Sequence, residues 1–330
     1  MGMLVNGKWV DQRPAEVAGR FVRPESQFRR FVTADGSSGF KAEPGRYHLY
    51  VSYNCPWAHR TIIFRRLKGL EQIISMSVSL PGMREQGWTF DDSYPGSTAD
   101  SVNGFRLLHQ AYTAAKPDYT GTVTVPALWD RKTRTIVNNE SPEIIRMMNS
   151  AFDGVGAGPG DFYPVPLRKE IDRINEFVYA HINNGVYRTG FATTQEAYDE
   201  AVERVFFGLD TLEERLASRR YLAGDTVTEA DWRLFVTLGR FDAVYYSLFK
   251  CCIRPLASYH HLQNYLHDLY QTPGVAATVK LDHIVTGYYS ITRVNPSGIV
   301  PRIPRLDFAS PHDRARLSAK AEATSHTAIG

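Results

Sequence analysis

The first strongly patterned stretch of the chain is Tyr47-His48-Leu49-Tyr50-Val51-Ser52-Tyr53, a run of β-favouring residues that predicts a strand. After Asn54-Cys55-Pro56 the period changes, and Trp57, Ile62, Ile63, Phe64 and Leu67 recur at roughly helical spacing up to Gly69. A strand, a cysteine-bearing turn and a helix are therefore expected. Ile73-Ile74-Ser75-Met76-Ser77-Val78 supplies a second strand, and the β-α-β unit so formed favours a parallel pair with a right-handed crossover. Residues 81–121 form a long insertion rich in Gly, Asp, Ser and Tyr, which is either functional or internally structured. Two short apolar runs follow, 123–130 and 135–137, separated by Arg131-Lys132-Thr133-Arg134, a hairpin signal. A helix is expected next, with Ser141 as its N-cap and Pro142 at its first position, ahead of Ile144, Ile145 and Met148.

The order β-α-β, insertion, β-β-α matches a thioredoxin-like α/β domain, placed at 46–153. Gly154-Val155-Gly156-Ala157-Gly158-Pro159-Gly160 reads as a linker, taken as 154–165. Beyond it the helical period dominates, for example Val202, Val205, Phe206, Leu209, Leu212 and Leu216, so 166–298 is expected to be an all-α domain. Within it Thr228-Glu229-Ala230-Asp231, preceded by Val227, reads as a structural helix start. Residues 1–45 lack clear periodicity and read as an extended arm that wraps a domain, and 299–330 as a proline-rich, then polar, disordered tail.

Composition narrows the function classes. The chain has 330 residues, 43% of them hydrophobic and 22% charged, a globular profile that excludes collagen, coiled coil and wholesale disorder. A net charge of +3 is too small to predict nucleic acid or an anionic membrane as partner, which leaves a small molecule. The N-terminus lacks the pattern of a signal peptide and no apolar run reaches the ~20 residues of a membrane span, so a cytoplasmic location is expected. Cys55, Cys251 and Cys252 are the only cysteines, too few for a disulfide scaffold and without paired zinc spacing, so no metal is expected.

Cys55 has the address of a reactive thiol. The first N–H groups of a helix are unpartnered and carry the positive end of its dipole, and Pro56 starts the helix without sacrificing a needed donor. Such a setting lowers a thiol from ~8.5 into the range ~3.5–7.5. Taken alone, Cys-Pro is more consistent with a small buried hydrophobe, and the strand-turn-helix setting reverses that balance. Ala58 stands where a second cysteine would close an internal disulfide, so a mixed disulfide at Cys55 needs an outside thiol. Cys251-Cys252 could in principle resolve it, but adjacent cysteines at the end of an aromatic helix read as core or incidental. His59, one helical turn along the same face, is open between support of the thiolate or leaving group and plain packing.

The segments Asn54-Cys55-Pro56-Trp57-Ala58-His59-Arg60, Thr124-Val125-Pro126-Ala127-Leu128-Trp129-Asp130, Asn138-Asn139-Glu140-Ser141, Asn183-Asn184-Gly185-Val186-Tyr187 and Asn295-Pro296-Ser297-Gly298 span nearly the whole chain. In this order they resemble the glutathionyl-hydroquinone reductases, the Xi class of glutathione transferases. The resemblance implies a thioredoxin-like domain followed by a helical one, glutathione as co-substrate, a glutathionylated aromatic small molecule as substrate, and a homodimer. It implies reductive removal of glutathione from glutathionyl-hydroquinones, with Cys55 as nucleophile.

For glutathione, the backbone of Val125 can pair with the cysteinyl unit as an added strand would. Glu140 and Ser141, at a helix start, offer a carboxylate for the ligand's amino group and donors for its carboxylate; capping by Ser141 is compatible with that. Trp88 matches a family tryptophan that covers glutathione, and Thr122 stands where the family usually carries a basic residue. Tyr187 and Tyr288 resemble pocket tyrosines that would hydrogen-bond the quinol hydroxyls. Two alternatives share the fold: an omega-like thioltransferase or dehydroascorbate reductase using the same Cys55, and a non-catalytic binding module. Intact Asn54-Cys55-Pro56 together with Glu140-Ser141 argues against the latter.

Overall fold

The structure is a computed structural model and describes residues 2–11, 19–22 and 24–318. The chain divides into two compact units. One comprises Met1–Ala15, Arg23–Gly160 and Ala277–Val300, the other Glu16–Val22, Asp161–Ala276 and Pro301–Gly330.

The first unit opens with β1 (Met3–Val5) and β2 (Lys8–Val10), an antiparallel hairpin around Asn6-Gly7. Both turn residues have positive φ, 48° and 73°, the requirement of a two-residue hairpin turn that Asn-Gly meets best. The arm thus holds regular structure that the absence of longer periodicity concealed. The main sheet contains β3 (Tyr47–Val51) and β4 (Ile74–Val78), which are parallel, with α1 (Pro56–Leu67) between them in sequence. The insertion carries a helix of its own, α2 (Leu108–Ala115), and a short strand, β5 (Gly121–Thr122), which pairs with β1. Next, β6 (Ala127–Asp130) runs antiparallel to β3 and β7 (Thr135–Asn138) antiparallel to β6, giving the order β4-β3-β6-β7. The unit continues with α3 (Ser141–Ser150), which packs on α1, while α2 packs on β7.

The N-cap of α3 is Glu140 rather than the expected Ser141, which becomes the first helical residue, with Pro142 second. The shift follows from Asn138, whose Oδ1 accepts the Glu140 N–H at 2.7 Å and so holds residue 140 extended.

What ties the insertion down is polar. All five residues of β3 are buried, His48 among them, with Nδ1 2.7 Å from Ser75 Oγ and Nε2 3.0 Å from Ser77 Oγ. Asp100 of the insertion accepts the Tyr50 hydroxyl at 3.0 Å and the backbone N–H groups of Val102, Asn103 and Phe105. Its carboxylate comes within 3.9 Å of His48 Nε2, yet burial outweighs that attraction and pushes the imidazole down to about 4, so His48 is neutral.

The second unit is helical: α4 (Arg168–Val178), α5 (Gly185–Phe191), α6 (Gln195–Leu216), α7 (Glu229–Arg240) and α8 (His260–Tyr270), with π-helical turns at Tyr179–Asn183 and Phe241–Tyr245. The expected helix start at Thr228 is built around the buried carboxylate of Asp231. It accepts the N–H groups of Thr228 (2.7 Å) and Leu222 (2.8 Å) and the hydroxyls of Thr228 (3.0 Å) and Tyr265 (2.7 Å).

Two expectations about the C-terminal part need correction. The helix α9 (Leu281–Tyr289) counts with the first unit, not with the helical domain. Residues 301–318 are not a loose tail, because the fully buried Arg314 donates to the carbonyls of Leu216 (2.8 Å), Arg220 (2.9 Å) and Arg219, and Phe308 packs on Tyr270 at 5.3 Å. A polar composition here supplies anchors rather than solvation. The remainder of the expected tail, 319–330, lies outside the described residues.

Two consequences can be measured. Because the folded protein holds His48 at about 4 against an ordinary 6.5, the unfolded chain binds the extra proton first. The stabilising contribution is complete above pH 6.5 and fades by about 3 kcal/mol as pH falls from 6.5 to 4. Thermal unfolding across that window should fall more steeply for the wild type than for His48→Gln, and parallel curves would remove His48 as the cause. Asp231→Ala strands four donors at one helix start and is expected to cost about 3–5 kcal/mol, read as a lowered Tm.

Candidate active site

Sheet topology gathers the sequence-predicted residues. Because β3 and β4 are parallel, and β6 and β7 run opposite to each other, one edge of the sheet receives the ends of β3, β4 and β7 and the start of β6. Cys55 follows β3, Trp88 lies in the insertion after β4, Val125 precedes β6, and Glu140 and Ser141 follow β7. Two hydrogen bonds knit the first two segments together, Ser79 N–H to Val51 O at 2.9 Å and Gly82 N–H to Asn54 Oδ1 at 3.3 Å. Leu80 N–H then donates to Thr89 O at 2.8 Å, which brings the residue next to Trp88 to this edge.

Cys55 is the N-cap of α1, with Pro56 in the first turn, so its sulfur lies at the positive end of the helix dipole. It is 9% exposed, and its thiol lies 3.5 Å from the carbonyl oxygen of Val125, to which it donates. The Val125–Pro126 peptide is cis. No disulfide joins the three cysteines; Cys251 is fully buried, and burial pushes its thiol well up, so it stays protonated. Cys252 beside it is exposed, so only Cys251 of the two belongs to the core.

His59 packs rather than facing outward. It is buried, with Nε2 2.8 Å from the hydroxyl of Thr278, in the segment that leads into α9. The same segment brings Gly287 of α9 to the cysteine turn. Gly287 approaches Asn54 so closely that a Cβ there would lie 2.5 Å from Asn54 Cγ, which only glycine avoids. Tyr288, its neighbour on α9, is buried.

At the start of α3, Ser141 is buried and accepts from Arg60 Nη1 at 3.4 Å, and the Arg60 guanidinium stacks on Trp57, 4.6 Å from the ring centroid. Arg60 belongs to a segment singled out in the sequence, but nothing there marked it as reaching the α3 N-terminus. Glu140 is partly exposed, and its Oε1 accepts the hydroxyl of Ser26 at 2.5 Å.

A further residue that sequence reasoning passed over holds the two halves of this edge together. The buried hydroxyl of Tyr112, on α2, donates to Thr124 O at 2.8 Å and accepts from Thr124 N at 3.2 Å and Asn139 Nδ2 at 3.1 Å. Those two residues directly precede Val125 and Glu140.

Trp88 is 8% exposed, and its indole N–H has no hydrogen-bond partner among the described residues. Thr122 lies in β5 opposite Met3, its carbonyl accepting the Tyr119 hydroxyl at 3.0 Å. Tyr187 belongs to the second unit and sits there in an aromatic cluster, 5.5 Å from Phe249, 6.1 Å from Phe191 and Tyr245, and 6.3 Å from Phe21 of the arm. Among the described residues no group of His, Cys, Asp and Glu side chains could hold a metal ion, and no helix is long and apolar enough to cross a membrane.

This arrangement can hold an extended thiol peptide: a strand-end backbone for pairing, a carboxylate and a helix N-terminus for its charged end, and a second thiol within reach of its sulfur. Comparison with known proteins shows the family. Residues 54–151 match the model of the glutathione S-transferase N-terminal domain and residues 195–268 that of the C-terminal domain. Glutathionyl-hydroquinone reductase YqjG of Escherichia coli (strain K12) is 52% identical over 323 residues, which cover 95% of this chain and 98% of the relative. Its glutathione-bound structure superposes with a TM-score of 0.89 at 50% identity, covering 95% of this chain and 99% of that one. Glutathionyl-hydroquinone reductase PcpF of Sphingobium chlorophenolicum is 54% identical over 307 residues, 91% of this chain and 96% of the relative. A Xi class glutathione transferase from Natrialba magadii gives a TM-score of 0.90 at 48% identity, covering 96% and 97% of the two chains. With a cysteine at the α1 N-terminus, both transferase domains matched and relatives this similar over nearly their full length, the chain belongs to the glutathionyl-hydroquinone reductases, the Xi class of glutathione transferases.

Proposed function

We propose that this enzyme reduces glutathionyl-hydroquinones to hydroquinones with glutathione as co-substrate, through a mixed disulfide at Cys55. The observation that carries the reading is the Cys55 sulfur at a helix N-terminus, 3.5 Å from the backbone carbonyl of Val125. That carbonyl is the acceptor a cysteinyl N–H of glutathione would pair with, so the bound ligand would bring its own sulfur beside Cys55.

The Cys55 thiolate attacks the sulfur of the glutathionyl group. The sulfur–carbon bond to the ring breaks, the ring carbon keeps the electron pair and takes a proton, and the hydroquinone leaves. Cys55 and glutathione are then joined in a disulfide. A second glutathione, as thiolate, attacks the glutathione sulfur of that disulfide, releasing oxidised glutathione and regenerating Cys55. Resolution is assigned to an outside thiol because Ala58 leaves the cysteine turn without a second thiol and Cys251 is buried and protonated.

Glu140 takes the ammonium group of glutathione, and Ser141 with the first N–H groups of α3 takes the neighbouring carboxylate. Trp88 covers the ligand and offers it an unpartnered indole N–H. Tyr288 holds the quinol. His59, bonded to Thr278, supports the helix that carries Cys55 rather than the leaving group. Homodimeric assembly and a cytoplasmic location belong to the same proposal.

Mass spectrometry after incubation with a glutathionyl-hydroquinone is expected to find one glutathione on Cys55 in the wild type and none in Cys55→Ser. An unmodified wild type, or a serine variant that keeps its activity, would overturn the mechanism; turnover of dehydroascorbate in preference to the quinol conjugate would favour the omega-like alternative. Glu140→Ala is expected to raise KM for glutathione by about tenfold, the loss of one charged hydrogen bond, while kcat changes much less.

A further inference from the structure

The arm segment 26–30 runs beside β7 and away from the start of α3, which it meets at Ser26. Arg29 bridges to Asn138 in antiparallel fashion, Arg30 N–H donates to Val137 O at 3.0 Å, and Asn139 N–H donates to Phe28 O at 3.1 Å. Side chains fasten the same segment. Phe28 meets Tyr112 edge-on at 5.7 Å and stacks on Tyr119 at 5.6 Å, Gln27 Nε2 donates to Thr120 O at 2.6 Å, and Arg29 pairs with Glu143. Next to these held neighbours, the Ser26 hydroxyl donates to Glu140 Oε1 at 2.5 Å.

We propose that Ser26 is a positioning residue of the glutathione site, orienting the Glu140 carboxylate for the ligand's ammonium group. The inference rests on the reading of Glu140 given above. Glu140 is partly exposed, and an unrestrained carboxylate there would have to be immobilised when the ligand binds. The Ser26 hydroxyl occupies Oε1 beforehand, and among the described residues no hydrogen bond ends on Oε2, which is left for the ammonium. The fold does not need this hydroxyl, since Gln27, Phe28, Arg29 and Arg30 anchor the segment without it.

Steady-state kinetics with glutathione varied, on full-length Ser26→Ala, Ser26→Thr, Glu140→Ala and the double alanine variant, test this. Ser26→Ala should raise KM for glutathione about three- to tenfold with kcat within about twofold and an unchanged Tm. Ser26→Thr, which keeps the hydroxyl, should restore the wild-type KM, and Ser26→Ala should add nothing in the Glu140→Ala background. If Glu140→Ala leaves KM unchanged, the reading of Glu140 fails and this proposal with it. If Glu140→Ala raises KM but Ser26→Ala does not, or raises it equally without Glu140, or lowers Tm and kcat together without rescue by threonine, Ser26 does not position Glu140 and only this proposal falls.

Discussion

The edge of the sheet where Cys55 sits is held in shape by one buried hydroxyl. Tyr112 bonds both the N–H and the carbonyl of Thr124 and takes the amide of Asn139, so the segment before Val125 and the segment before Glu140 cannot separate without stranding polar groups in the interior. Burial pushes this phenol up, so it remains a donor at any physiological pH. The segments that carry Val125 and Glu140 are thereby kept at one spacing, which the proposed glutathione site requires. Tyr112 is supplied by the insertion, so the insertion is part of what builds the site.

Polar anchors, more than apolar stripes, attach the chain's irregular segments. Asp100 ties the insertion to β3 through Tyr50 and three backbone N–H groups, beside a neutral His48. Arg314 ties the C-terminal segment to the end of α6 through three carbonyls. The arm combines both means, with Phe28 against two tyrosines and Ser26 on Glu140. Such anchors satisfy individual groups and leave no repeat along the sequence, so each segment resembles a loop until its partners are known.

The regular elements were legible for the opposite reason. A strand with a helix after Cys55-Pro56, a second strand and a hairpin each carry a period or a turn signal within a dozen residues, and β3, α1, β4, β6 and β7 follow them closely. Where local signals competed, reading slipped. Ser141-Pro142 looked like a cap and first residue, but the side chain of Asn138 moved the cap to Glu140. The hairpin around Asn6-Gly7 was not read from the sequence, because its strands of three residues are too short to show alternation. His59 shares the helix face of Cys55, and its bond to the distant Thr278 was not legible in the sequence.

By itself the sequence determined the residue types offered to the proposed site: a thiol before a proline at a strand-to-helix turn, a carboxylate and a hydroxyl at another helix start, and no second cysteine within the cysteine turn. These depend on residue type and on neighbours a few positions away. The tertiary structure decided which of those residues meet and what holds them, through parallel and antiparallel pairings that bring four strand ends to one edge and through Tyr112, Arg60 and Ser26, whose partners are remote in the chain. Contacts across 27 to 114 positions depend on the register of the whole sheet and leave no local pattern from which they can be read.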